Sequence, residues 1–595
     1  MTLDLAAIGN CTYNALLDGC GRVVWSCFPR PDGDPVFCHL LGGAAAAVHG
    51  GDFAVELDGY SRAEQRYLPN TAVVETVLRD THGNALRMTD CAPRFVDRGR
   101  VFRPLLFVRL IEPLEGAPRL RVLLRPRFAQ GADQPVVTRG SNHLRYVHAT
   151  QTLRVTTDMP ITYLQAGTVF HLDRPLHFLL GADEPLASPI ARTAREFIER
   201  TAEYWRNWVR PLGVPLEWQD AVIRSAITLK LCTYEETGAI LAAMTSSIPE
   251  APGTARNWDY RFCWLRDAFF VVRALNSLSE VATMENYLAY IVNLSLRAEK
   301  FQRLQPVYGL GLEEDLSETT ADALPGYLDH GPVRIGNAAH THDQHDVYGN
   351  VVLAATQAFF DRRLLHPLGP AQLERMQWIA ERAWALHDRP DAGMWELRTR
   401  ARVHTASSLM CWAACDRMGR ITRHLGDAAR ADFWAGRAER IRTRILRESW
   451  SERRRTFAAA FGSDDLDAGV LLMGEVGFLP KDDPRWVSTV EVIGRDLRQG
   501  QHIYRYDSAD DFGVPQTAFT ACTFWYVDAL ARIGRHEAAR ELFCNLLATR
   551  NAAGLLSEGV DVKTGQLWGN FPQTYSMVGI INGAMRLSQP WSAVL

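Results

Sequence analysis

Twelve consecutive residues, Arg256-Asn257-Trp258-Asp259-Tyr260-Arg261-Phe262-Cys263-Trp264-Leu265-Arg266-Asp267, hold four aromatics, three arginines and two aspartates. The apolar run Ala268-Phe269-Phe270-Val271-Val272 follows directly, so the polar residues sit at the N-terminal mouth of an expected buried helix. A charge in that position needs a partner, because desolvating it alone is costly. One reading is an internal Arg266–Asp267 ion pair that fixes a loop. The other is a grip for a hydroxyl-rich ligand: Arg266 donates, Asp267 accepts, and Trp258 and Trp264 offer flat apolar faces. A sugar needs that combination, since its hydroxyl edge must be paired and its C–H face stacks on rings.

Acid–base cleavage of a glycosidic bond usually takes two carboxyl groups on opposite sides of the bond. With 68 acidic residues, composition cannot select them. Local context offers two. Glu396 lies in Gly393-Met394-Trp395-Glu396-Leu397, beside an indole whose apolar wall would disfavour its ionised form. Glu558 lies in Leu556-Ser557-Glu558-Gly559, followed by Trp568-Gly569-Asn570-Phe571-Pro572-Gln573-Thr574-Tyr575, a tight loop with an aromatic wall. By their residues alone, both glutamates read first as loop or turn carboxylates facing water. The cluster His340, His342, Asp343, His345 and Asp346 has donor types that suit a metal, a substrate or the start of a helix.

The elements that must carry these residues fall into two halves. Up to about residue 190, short segments with period-two alternation, such as Arg119-Leu120-Arg121-Val122, and the strand-like run Thr71–Leu78 are separated by turn signals at Asp32-Gly33, His82-Gly83-Asn84 and Gly131-Ala132-Asp133. This predicts an antiparallel β-sandwich over residues 1–190. A helical connector is expected over 191–215, with Phe197, Tyr204, Trp205 and Trp208, ending at Pro211 and Pro215. From 216 to 595 helical spacing recurs about twelve times, and no fixed-period repeat is visible. Twelve helices fit six hairpins closed into an (α/α)6 barrel; the count alone also fits a helical solenoid, which the missing repeat disfavours. Residues 301–345 form the longest helix-poor stretch there, and loops of that length are usually functional.

The bulk numbers exclude several classes. The net charge is -3 and the lone basic cluster is Arg453-Arg454-Arg455, so neither a nucleic acid nor an anionic membrane is an expected partner. No run approaches the length of a membrane span, and the N-terminal residues lack a signal-peptide pattern. Eleven scattered cysteines without Cys-x-x-Cys pairs fit reduced thiols and a cytoplasmic location. Cys411 and Cys415 lack the further ligands a metal site needs. The sequence specifies neither an oligomeric state nor a preferred linkage.

Trp264-Leu265-Arg266-Asp267 resembles the W-x-R-D signature of glycoside hydrolase family 15, the glucoamylases and their bacterial trehalase and glucodextranase relatives. Trp395-Glu396 resembles the family's W-E motif, and Ser557-Glu558 with Gly569-Asn570-Phe571-Pro572-Gln573 its second carboxylate motif. The opening segment, with Ile8-Gly9-Asn10-Cys11 and Trp25-Ser26-Cys27-Phe28-Pro29-Arg30, resembles the N-terminal domain of bacterial members. The resemblance implies an exo-acting, inverting α-glucoside hydrolase that acts on α-glucans, oligosaccharides or trehalose without a metal or cofactor. Glu396 would be the general acid and Glu558 the general base. Arg266 and Asp267 would hold the terminal glucose, with Trp258, Trp264, Trp395 and Tyr575 as further substrate contacts. Departures from the family pattern include Ser407-Ser408, Asn350, Gly559 and Met577. They cluster on the leaving-group side and keep open a second reading, a sugar-binding or regulatory protein on the same fold.

Overall fold

The computed structural model describes residues 2–366 and 368–595; Met1 and Pro367 lie outside the described residues. The first part is two antiparallel sheets. One runs in spatial order Leu5–Gly9, Asn14–Asp18, Val23–Phe28, Asp52–Leu57, Arg119–Arg125 and Phe170–His171, with Asp34–Phe37 paired to Val23–Phe28. The other is eight-stranded, from Val136–Arg139 at one edge to Tyr60–Tyr67 at the other. Arg119–Arg125 shows why: Leu120, Val122 and Leu124 are buried while the alternating residues face out. Between the sheets Phe53 meets Phe107 and Phe178 edge-on at 5.8 and 5.6 Å. The run expected to start at Thr71 begins as a strand only at Val74. Asn70 adopts a left-handed φ of 59°, and Thr71 bonds back to Leu68, so a turn occupies the first residues.

The connector is the helix Ile190–Val209. It is not a detached linker. Its buried face, Ala194, Ile198 and Ala202, packs on Cys91, Val108, Leu110 and Leu179 of the eight-stranded sheet and on Val73 just before it.

Twelve helices follow among the described residues: α1 (Gln219–Leu231), α2 (Leu265–Ser277), α3 (Ala282–Phe301), α4 (Asp346–Thr356), α5 (Pro370–Leu386), α6 (Thr405–His424), α7 (Ala428–Glu448), α8 (Leu472–Val476), α9 (Pro484–Asp496), α10 (Thr520–Arg532), α11 (His536–Ala548) and α12 (Thr574–Leu587). The even-numbered helices form the inner ring: α2 packs on α4, α4 on α6, α6 on α8, α8 on α10, α10 on α12, and α12 back on α2. The odd-numbered helices lie outside them, so the chain closes as an (α/α)6 barrel. The α8 element is a single turn behind a 3-10 turn, ended by Gly477 at φ +72°. No helix among the described residues is long and apolar enough to cross a membrane. All eleven cysteines are free thiols.

Candidate active site

The loops that precede the inner helices converge on one cavity. It holds about 870 Å³ not filled by atoms, its solvent-filled mouth included. Trp258, Trp264, Arg266, Asp267, Trp395, Glu396 and Tyr575 all line it. Glu558 stands just behind the wall, 2 % exposed, and accepts a 2.7 Å hydrogen bond from the lining hydroxyl of Tyr260.

The signature stretch enters as a short strand, Cys263–Trp264, paired with Val307–Tyr308 of the long loop. At Leu265 it turns into α2, so Arg266 and Asp267 occupy the first helical turn. Asp267 there complements the helix dipole. Arg266 Nε lies 3.2 Å from Asp267 Oδ2, and Nη1 donates to Met394 O at 2.8 Å. The internal ion pair and the cavity-facing pair are therefore the same residues. A second pair in the stretch, Arg261–Asp259 at 2.7 Å, is wholly buried and does not line the cavity.

Glu396 comes from the loop between α5 and α6. Its φ is +61°, a left-handed conformation that non-glycine residues seldom adopt. Two-way backbone bonds between Asp391 and Arg402 close the base of that loop at 2.9 and 3.1 Å. The indole that meets Glu396 is not the adjacent one. Trp395 Nε1 donates to both oxygens of Asp467 at 2.9 Å, whereas Trp264 Nε1 donates to Glu396 Oε1 at 2.6 Å. Arg266 Nη2 is 3.7 Å from the same oxygen.

Glu558 precedes the strand Gly559–Val560, which pairs with Ala518–Phe519 on one side and Leu567–Trp568 on the other. A Cβ at position 569 would sit 2.4 Å from Glu558 Oε2, and Gly569 has φ +78°, so only glycine fits beside this carboxyl. Among the described residues, Oε2 has no hydrogen-bond partner. Burial first, and then the charge of Glu250, push the Glu558 carboxyl up to about 8. Asp267 rises to about 6 through burial, against the pull of Arg266.

Several site residues carried no signal of their own. Tyr260 lies within electrostatic reach of Glu558, Glu250 and Glu396, and burial followed by these carboxyls lifts its hydroxyl well above its ordinary value. Its ring meets Trp264 edge-on at 5.3 Å, so Tyr260 and Trp264 join the two carboxyl groups through one aromatic contact. Glu250 accepts from Trp258 Nε1 at 3.2 Å and from Arg505 at 2.6 Å. Trp525 meets Tyr575 edge-on at 5.5 Å at the inner end. Of the histidine segment, only His342 lines the cavity. His340 turns back to Asn337 O at 2.9 Å, and the His345 backbone donates to Asp391. Among the described residues no three metal-ligating side chains gather.

A helical barrel whose cavity is lined by Glu396 and backed by the buried Glu558 fits the class of the glycoside hydrolases, and likeness to known proteins places this chain in it. Residues 218–585 match Glycosyl hydrolases family 15, and residues 4–173 match Trehalase-like, N-terminal. The chain belongs to glycoside hydrolase family 15. It is 31% identical to the trehalase of Mycolicibacterium smegmatis, over 98% of this chain and 91% of that one. It is 28% identical to the trehalase of Thermoplasma volcanium, over 98% and 93%. A bacterial glucoamylase complexed with acarbose has the same fold, with a TM-score of 0.68 at 13% identity over 99% of this chain and 94% of that one. The reading as a sugar-binding or regulatory protein gains no support from these relatives.

Proposed function

We propose that the chain hydrolyses α,α-trehalose to two glucose molecules with inversion at the attacked carbon. The observation that carries the choice of substrate is the full-length likeness to trehalases, which extends through the N-terminal part as well as the barrel. In this reading the sandwich (1–190) and connector (191–215) brace the catalytic barrel (216–595).

Arg266 and Asp267 hold one glucose at the inner end, against Tyr575 and Trp525. Glu396 donates its proton to the glycosidic oxygen as the bond to that glucose breaks, and the second glucose leaves with the proton. Glu558 takes a proton from the water that attacks the anomeric carbon from the opposite face. Tyr260 fixes one Glu558 oxygen, leaving the unpartnered Oε2 as the acceptor for that water. Positive charge on the sugar ring at the transition state is met by the carboxylates around it.

Proton NMR of the first turnovers tests the reading. Trehalose attacked with inversion yields equal initial amounts of α- and β-glucose: one from the leaving sugar, one from the attacked carbon. Initial α-glucose alone sinks inversion. Cleavage of maltose without cleavage of trehalose sinks the substrate.

A further inference from the structure

Trp258, expected to offer a flat face to a sugar, lines the cavity and is half-buried, and its ring is also packed by two arginines and a phenylalanine. The guanidinium carbons of Arg334 and Arg398 lie 5.3 and 4.6 Å from its centroid, and Phe512 meets it edge-on at 5.1 Å. Both arginines are tied to one carboxylate: Glu318 accepts from Arg334 at 2.8 Å and from Arg398 at 3.1 Å. The Arg398 backbone N–H donates to Asp511 Oδ2 at 2.5 Å, and the Thr399 hydroxyl donates to the other oxygen of Asp511. Arg400 reaches Ala509 O at 2.9 Å. Behind this, Asp510 takes both terminal nitrogens of Arg256.

Three loops therefore meet at Arg398: the long loop through Glu318, the Glu396 loop itself, and the 506–514 loop. Arg398, Asp511 and Phe512 line the cavity, and Arg398 and Phe512 are also exposed to solvent, so they stand at its rim. The inner end is occupied by the buried Asp267 and Tyr575. Glu396 is only two residues from Arg398, so the rim lies on the leaving-group side of the bond that Glu396 would protonate.

We propose that Arg398, clasped by Glu318 and the 509–513 segment and stacked on Trp258 and Phe512, is a specificity-determining residue that closes the outer end of the leaving-group half. The pocket then admits two sugar rings and excludes a third. This rests on the assignment of Glu396 as the acid and deepens the trehalose reading. The wall is made of polar contacts between loops and an arginine stacked on rings. Such contacts can part to admit a disaccharide, but a chain that continues past the second ring would hold them open.

The experiment compares kcat/KM for trehalose, maltose, maltotriose and maltotetraose in the wild type, Arg398→Ala and Phe512→Ala, with the melting temperature of each. The wild type should favour disaccharides over maltotriose. Both variants should lower the disaccharide-to-trisaccharide ratio at least tenfold, by a higher disaccharide KM and gained maltotriose turnover, and Phe512→Trp should retain the wild-type ratio. Folded variants that keep the ratio within twofold overturn the proposal. So do variants that lose every substrate in equal proportion, since Arg398 would then serve only to place Glu396. A wild type that cleaves maltose but not trehalose overturns the trehalose reading instead, and the maltose-to-maltotriose ratio still tests the wall.

Discussion

At the scale of single residues, the site is governed by crowding of negative charge. Glu558, Glu250 and Glu396 all face Tyr260. Glu250 is held in place by Arg505 and Trp258. Burial of Glu558 is the larger cause of its shift to about 8, and Glu250 adds to it. The sign follows: removing the negative neighbour makes ionisation of Glu558 easier and lowers its pKa. To read Glu558, the proposed base, alone, the proposed acid is removed. In Glu396→Gln acting on α-glucosyl fluoride, whose leaving group departs without protonation, the rate should rise with pH through about 8 as Glu558 ionises. Adding Glu250→Gln should move that limb to lower pH. A limb that stays in place or moves up removes Glu250 from the electrostatics of the base. None of this was visible from residue types. Tyr260 and Glu558 are 298 positions apart, and Arg505 and Glu250 are 255 apart, so no local pattern links them. Glu396 and Glu558 themselves were singled out by family likeness; their neighbours in sequence left them indistinguishable from turn carboxylates.

At the scale of elements, the chain reads clearly wherever one periodicity dominates. The helices of the inner and outer rings follow 3.6-residue spacing, and Arg119–Arg125 alternates as a half-buried strand should. Turn geometry was less legible, because it depends on single φ values. The Glu396 turn shows this. Gly393 was the visible glycine, yet Glu396 also takes a left-handed φ, of +61°. That conformation costs an L-residue about 1 kcal/mol or more, and glycine avoids the cost. Glu396→Gly should therefore be more stable than Glu396→Ala by about 1 kcal/mol, although both lose the carboxyl of the proposed acid. Equilibrium unfolding of the two variants checks this. An alanine variant as stable as the glycine variant would mean that the turn relaxes once the carboxyl is gone, and that its bond to Trp264 holds the strained backbone.

At the scale of the whole molecule, the sandwich is built into the barrel rather than appended to it. Leu3, Leu5, Leu16, Val24 and Trp25 share one continuous apolar core with the barrel helices. Trp25 Nε1 donates to Met244 O at 2.8 Å, and Arg261 of the signature stretch donates to Gly33 O at 2.6 Å. The sandwich thus holds the backbone from which Tyr260 and Trp264 reach the two carboxyls. Between the halves lies a buried charge cluster. Glu235 binds Arg94 from the sandwich side at 2.8 Å and Lys230 from α1 at 2.9 Å, and Arg94 and Lys230 are 2 % and 3 % exposed. Burial would raise the Glu235 carboxyl, but Lys230 and Arg94 outweigh it and hold it down to about 2. A lowered folded-state pKa stabilises above the ordinary value of 4.5, and the stabilisation is lost as pH falls toward 2. Glu235→Ala leaves buried Arg94 without its carboxylate and Lys230 with only Glu280, 3.7 Å away, a loss of roughly 3–5 kcal/mol when one partner of a buried pair is removed. Because the core is shared, calorimetry of the wild type should show one transition. Glu235→Ala should lower that whole transition at neutral pH, with the gap to the wild type narrowing as pH falls from 4.5 toward 2. Two transitions, with only one displaced by the substitution, would show that the halves unfold separately, and the sandwich could not then be what holds the signature stretch in register.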